Sequence, residues 1–522
     1  MGAAPAVREA VARPAAFMSV ATLASRVAGL ARESLFAALV GAREAADAFN
    51  VGFRIPNLLR DLFAEGALSG AFVPVLGRVR AERGDAAAFR LARVVLGTLL
   101  LVTAAVALLG IAFAPALVDL LAPNVRLRDL AIACTRIMFP FLPLIAAAAV
   151  LMGVLNTQKR FFLPALAPAF FNLVAIAGGV GLLLAGVPAE QAVLGWAVFV
   201  ILGGLAQAGV QVPAARAAGL VGPPLADLRF RDPDLRTVVR RMAPVALALA
   251  GTQVMIVVTT AVASSHVGWI SALAYAFRVI HLPIGLVGVA LGTVALAAAS
   301  RRAGEGDPAG LDDVIRRGLR LNAVLGLAAA AGLLAIAEPL VRLLYERREF
   351  GAAETAVVAE AVRWYALGVA FYGGTKVAVA AFHARGDTKT PMLCSLLGIA
   401  VNLAVALVGV AAIGFAALPL ATAAGSAVNY ASLRLLARRR HGDAAAPGAS
   451  FLLRVLAAVA GVYLVARGGA DLLLFRGGPL GDGLALLVGV LLVSGVAALV
   501  HLLALKALRI PEASFLDRRQ AR

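Results

Sequence analysis

Fourteen apolar runs of about twenty residues recur along the chain, at 15–40, 49–77, 91–114, 130–155, 164–186, 191–213, 242–263, 268–300, 318–341, 358–383, 391–411, 414–433, 452–470 and 483–505. A helix of that length spans the hydrocarbon core of a bilayer, roughly 30 Å thick. Backbone N–H and C=O groups find no water there, so a spanning chain must be helical or close into a barrel. A barrel needs alternating strands of roughly ten residues, a pattern the sequence lacks. The expected fold is therefore all-α and polytopic, with about 14 transmembrane helices. The chain is 61% hydrophobic, above the roughly 45–50% of soluble domains. Ala, Leu, Val and Gly supply most of that excess, and small residues let helices approach closely in lipid.

The formal net charge is +19 over 522 residues. Its cations crowd alternate short loops, which points to topology and away from nucleic acid. Residues 214–241 hold six Arg, whereas 187–190 and 264–267 hold no Lys or Arg. With the cation-rich side inside, both termini are cytoplasmic. The first residues, MGAAPAVREAVARPAAF, show no small-residue cleavage site and read as a cytoplasmic lead-in. Cys134 and Cys394 are the only cysteines. The topology sets them near opposite faces, so neither a disulfide nor a metal pair is expected.

Two segments repeat. FRIPNLLRDLFAEGALSGAFVPVLGRVRAERGD (53–85) and FRVIHLPIGLVGVALGTVALAAASRRAGEGD (277–307) share an opening Phe-Arg, an early proline, a small-residue stretch and a basic exit into Gly-Asp. LNTQKRFFLP (155–164) and FHARGDTKTP (382–391) match at nearly the same offset. About six spans separate the copies, so the halves keep one orientation, as parallel repeats do. The expected organisation is two pseudo-symmetric six-helix lobes, 1–217 and 218–440, followed at 441–522 by two extra helices and a cytoplasmic tail.

Cations also lie within the apolar runs, among them Arg26, Arg32, Arg54, Arg60, Arg136, Arg278 and Lys376. Four arginines facing lipid at mid-depth would cost on the order of 10 kcal/mol. Snorkelling to a span end accommodates Arg54 and Arg136. Ion pairing is the second way out, since Glu33 stands seven residues from Arg26 on one helical face and Asp61 and Glu65 flank Arg60. The third is an anion site in a wet cavity, where planar guanidinium forks suit a phosphate. The stripe Arg60, Ala64, Ala67, Ala71 leaves room beside one such fork. In the eighth run, Arg278, His281, Gly285, Gly288 and Gly292 share a face. There Gly288 and Gly292 suit close packing, and Pro283 suits a bend. The five histidines are scattered and no nucleophile or metal constellation stands out, which argues for a transporter of an anionic, phosphorylated substrate over an enzyme.

SRVAGLARE (25–33), DAFNVGFRIPNLLRDLFAEGALSGAFVPVL (47–76), NTQKRFFLPALAP (156–168), GVALGT (288–293) and GDTKTP (386–391) resemble the MurJ/MviN lipid II flippases, within the multidrug/oligosaccharidyl-lipid/polysaccharide exporter superfamily. The resemblance runs to about residue 440. It implies movement of undecaprenyl-diphosphate-linked peptidoglycan precursor, lipid II, from the inner to the outer leaflet by alternating access through a cationic central cavity. The implied setting is the bacterial cytoplasmic membrane, with membrane lipids around the chain, cell-wall synthases as partners and no cofactor. Arg26, Arg32, Arg60 and Arg278 match the family's cavity arginines and become the diphosphate ligands, with Asp47, Arg54 and Glu65 in support. Two departures stand out. Phe277 precedes Arg278 where an Asn or Asp is expected. Some members are associated with a sodium site on the seventh, eleventh and twelfth helices, and here those runs hold no Asp or Glu. Asn402, Thr422 and Asn429 offer only neutral oxygens there, and hard cations favour charged ones. The rival readings are a flippase for another polyprenyl-diphosphate oligosaccharide and a drug or cation antiporter of the same superfamily, whose cavity would be acidic and aromatic.

Overall fold

A computed structural model describes residues 24–60, 67–442, 448–471 and 483–512. The N-terminal lead-in, the start of the first apolar run, and Asp61, Ala64 and Glu65 lie outside the described residues. The chain is helical almost throughout. In order come α1 (24–40), α2 (Glu44–Arg60), α3 (Ala67–Ala112), α4 (Ala114–Leu121), α5 (Arg128–Met138), α6 (Phe141–Thr157), α7 (Phe162–Ala185), α8 (Ala189–Gly209) and α9 (Val212–Ala217). Then follow α10 (Pro233–Ala263), α11 (Trp269–Pro283), α12 (Ala290–Gly304), α13 (Pro308–Tyr345), α14 (Ala352–Ala384), α15 (Lys389–Ile413), α16 (Ala417–His441), α17 (Ala449–Ala470) and α18 (Gly483–Ala507). A single antiparallel bridge, Arg347 with Phe350, is the only β-type pairing among the described residues.

Among the described residues, ten helical stretches are long and apolar enough to cross a membrane. Gly70–Ala112 carries parts of two runs, and Lys389–Arg440 carries two whole ones. The run beginning at 15 is described only in part, and the run at 242–263 includes the apolar helix Gly251–Ala263. The architecture is thus consistent with fourteen spans. Local chemistry sets the breaks. Asp232 and Asp307 each precede a proline and cap α10 and α13 through their carboxylates. Such a cap satisfies orphan N–H groups, and proline is tolerated in the first turn. Helix α7 ends at Gly186, whose φ of 62° is left-handed. Several of the described runs are interrupted: 130–155 breaks between α5 and α6 at Phe139–Pro140, 268–300 passes through a wider π turn at Ile284–Val289, just after Pro283, and 318–341 kinks at Ile336. Proline withholds one backbone donor, and the helix adapts locally.

The chain divides into two compact units, Met1–Ser271 with Arg347–Phe350, and Ala272–Glu346 with Gly351–Arg522. In the first, α3 packs on α6 and α10, α7 on α8, and α2 on α5. In the second, α14 packs on α12, α13 and α16, and α17 and α18 pack together and on α13. Small side chains allow this: Ala331, Ala335, Ala466, Ala470 and Ala497 share one buried cluster with Val462, Val490 and Val493. A Cβ on Gly288 would lie 2.8 Å from Gly373 Cα, and one on Gly292 would lie 2.7 Å from Lys376 Cβ. The Gly288–Gly292 pair therefore serves close packing onto α14.

The repeated motifs share local geometry. Gly84 and Gly306 both have positive φ, 79° and 68°. Arg80 donates to Asp85 at 2.5 Å, and Arg302, one 222-residue step on, donates to Asp307 at 3.2 Å. The second motif pairs Lys159 (φ 59°) with Gly386 (φ 77°), 227 residues apart. Exposed ion pairs of this sort add little stability; they mark equivalent turns.

Candidate functional site

Arg26, Arg32, Arg54 and Arg60 belong to the first unit and Arg278 to the second. Arg26 lies exposed on α1. Six residues on, the Arg32 side chain is 13% exposed and donates to Glu33, 11% exposed, at 2.5 Å. Its guanidinium carbon sits 5.1 Å from the centre of the Phe171 ring. The cation thus has an acid on one side and an aromatic face on the other, the two environments that best offset desolvation of a guanidinium. Glu33, which the helical spacing sets on one face with Arg26, pairs with Arg32.

Helix α7 holds this end of α1. Asn172 is buried and donates to the Ser25 carbonyl at 3.1 Å. Phe171 ends a ladder of rings, Trp196, Phe36, Phe49, Phe53, Phe141 and Phe171, with successive centroids 4.7–6.1 Å apart. Such spacing lets aromatic edges meet faces. The ladder runs through α1, α2, α6, α7 and α8, so α1 and α2, which carry four of the arginines, are packed through aromatic rings. The sequence reading passed over Phe171 and Asn172. Their signal was the FFN of α7, an aromatic pair beside a polar residue in an otherwise aliphatic run.

Arg54 and Arg60 are half-buried on α2, on either side of Pro56. Ala71, the far end of the alanine stripe, is buried. Glu65 falls outside the described residues. In the second unit, Arg278 is exposed on α11, beside Phe277. Phe277 contacts the His281 ring at 4.1 Å, and its carbonyl is 3.0 Å from His281 Nδ1. Lys376, on α14, stands 5.1 Å from the Tyr372 ring.

Asp47 is 4% exposed at the start of α2. Its carboxylate accepts from Gly268 N at 2.6 Å, Ser271 N at 2.8 Å and Ser271 Oγ at 2.5 Å. The carboxylate thus serves the first turn of α11, where unpaired N–H groups and the helix dipole favour a negative charge. Ser271 stands 224 residues after Asp47, the same step that separates Arg54 from Arg278. Asn124 donates to the Ser264 and Ser265 hydroxyls, just past the end of α10, at 3.3 Å each.

Among the described residues, no group of three or more His, Cys, Asp or Glu is placed to hold a metal. The runs 242–263, 391–411 and 414–433 hold no carboxylate that could serve a sodium site there. Asn402 donates to Thr422 at 3.3 Å, and the Oδ1 atoms of Asn402 and Asn429 are buried without a hydrogen-bond partner. No carboxylate accompanies them on α15 or α16. Cys134 and Cys394 are both buried, free thiols.

The family model described as "Lipid II flippase MurJ" matches residues 36–472. The chain belongs to this family. Among its relatives, the lipid II flippase MurJ of Burkholderia cenocepacia is 35% identical, over 86% of this chain and 87% of its own length. The probable lipid II flippase MurJ of Rhizobium meliloti is 36% identical over 74% and 73%. A solved lipid II flippase MurJ in an inward closed conformation superposes with a TM-score of 0.77, at 23% identity, over 97% of this chain and 99% of that one. An inward-facing multidrug transporter of the MATE family gives 0.67 at 16% identity, over 80% and 94%. These two likenesses speak to fold. Membership rests on the sequence matches, and it makes the protein a multi-pass membrane transporter of the flippase type.

Proposed function

We propose that the chain carries lipid II, the undecaprenyl-diphosphate-linked peptidoglycan precursor, from the inner to the outer leaflet of the cytoplasmic membrane by alternating access. The observation that carries this reading is the family match over 36–472, in a chain whose apolar runs hold arginines in both units. In the proposed site, Arg26, Arg32, Arg60 and Arg278 bind the diphosphate, whose paired oxygens suit guanidinium forks. Arg54 and Glu65 support them, and Asp47 does so by fixing the first turn of α11. Six-helix lobes at 1–217 and 218–440, with 441–522 as an appended pair of helices and a tail, supply the alternating bodies. Both termini lie in the cytoplasm, and cell-wall synthases consume the delivered precursor. The test is depletion of a host's own lipid II flippase with rescue by this chain. Cells should resume peptidoglycan synthesis and show lipid II at the outer surface. Persistent accumulation of lipid II on the inner side, with this chain at normal membrane levels, would refute the reading.

A further inference from the structure

Residues 218–232, between α9 and α10, are pinned along α3 of the same unit. Leu225 N donates to Arg93 O at 2.9 Å, Arg93 Nε to Pro223 O at 2.7 Å, and Asp227 N to Thr98 Oγ1 at 2.9 Å. The Asp227 carboxylate accepts from Asp232 N at 2.7 Å, which holds its pKa below the usual carboxylate value. Arg90 pairs with Asp232 at 3.1 Å, and Arg78 and Arg83 pair with Asp234. The acids at the base of this strap are thus occupied by α3 arginines.

The strap's outward side chains are of the opposite kind. Val221 is 68% exposed, Leu228 54% and Phe230 38%, and Arg229, Arg231 and Arg236 are exposed between and after them. Phe230 has a φ of 49°, a conformation that bulky residues rarely adopt. A glycine or asparagine would relax this turn. The position instead holds a large aromatic ring, with Arg236 donating to its carbonyl at 3.0 Å. A rigid backbone that displays apolar side chains alternating with arginines matches the boundary between acyl chains and anionic headgroups. The strap also bonds to Arg93 and Thr98 inside the apolar run 91–114, at the cation-rich end of that run.

We propose that residues 218–232 form a preshaped foot that docks on anionic phospholipid of the cytoplasmic leaflet, with Leu228 and Phe230 in the acyl boundary and Arg229 and Arg231 on lipid phosphates. The assignment to that leaflet rests on the topology proposed above, and not on the transported substrate.

The experiment uses the full chain with both native cysteines changed to alanine, and Leu228→Cys labelled with an environment-sensitive fluorophore. Val221→Cys is a second site should the first fold poorly. The protein is reconstituted in phosphatidylcholine, with or without phosphatidylglycerol. Phosphatidylglycerol should blue-shift the emission, raise quenching by lipid spin-labelled near the headgroup and lower quenching by aqueous iodide. Arg229→Gln with Arg231→Gln should weaken all three responses severalfold. Full iodide access in both vesicles would overturn the proposal, as would lipid contact indifferent to phosphatidylglycerol and to the arginines. Labelling of the cysteine from outside intact cells would overturn the leaflet assignment. Protection in native membranes but not in vesicles would point to a protein partner instead, and would equally overturn it.

Discussion

Arg32→Ala is expected to abolish rescue of a flippase-depleted host, and adding Glu33→Ala is expected not to restore it. The double variant matters because Arg32 is paired. Removing one member of a largely buried pair leaves an uncompensated charge, at a cost of about 3–5 kcal/mol in fully buried cases. The single variant therefore loses both stability and a cation. Removing Glu33 as well takes away the acid that Arg32 neutralised and should bring thermal stability in detergent part of the way back. If Arg32 binds the diphosphate, the restored protein still cannot flip. If the pair serves only to hold α1 against Phe171, activity returns with stability. Arg26→Ala, Arg60→Ala and Arg278→Ala should each abolish rescue at near-normal membrane levels.

The second large effect falls on Asp47. Its carboxylate accepts three hydrogen bonds from Gly268 and Ser271, and bonds to a charged group contribute roughly 1.5–3 kcal/mol each. Those values do not add, so Asp47→Ala should destabilise by at least about one such bond. Ser271→Ala removes only the hydroxyl donor and leaves the two backbone donors in place, so it should cost about 1.5 kcal/mol, the low end of that range. Thermal denaturation followed by fluorescence-detected size exclusion should rank wild type above Ser271→Ala, and Ser271→Ala above Asp47→Ala. Wild-type stability of Asp47→Ala combined with loss of rescue would mean that Asp47 acts on the substrate and is not a structural tie.

Much of this was legible in the chain. Span periodicity follows from hydropathy, because the bilayer imposes a length on every helix. The repeat was legible in Phe-Arg, Gly-Asp and their spacing, because turns need particular residues wherever they recur. The pairing of Glu33 was not. Spacing on an isolated helix favoured Arg26, but Phe171 from α7 offers Arg32 a ring face, and a contact across 139 positions leaves no local trace. The same holds for Asp47 and Ser271, although the repeat offset was a clue that the two positions correspond. The π turn after Pro283 was anticipated only as a bend, since proline says that a donor is missing and not how the helix compensates.

Lipid transport itself is the most direct test. Purified protein is reconstituted in vesicles containing fluorescent lipid II, and an impermeant reductant then bleaches label in the outer leaflet. The same assay is run with a polyprenyl glycolipid of matched sugar that lacks the diphosphate. Wild-type protein should expose the inner pool of lipid II, Arg60→Ala and Arg278→Ala proteins should leave it protected as in protein-free vesicles, and the lipid without diphosphate should stay protected throughout. Equal transport of both lipids, or lipid II flipping undiminished in both arginine variants, would contradict the proposed diphosphate site.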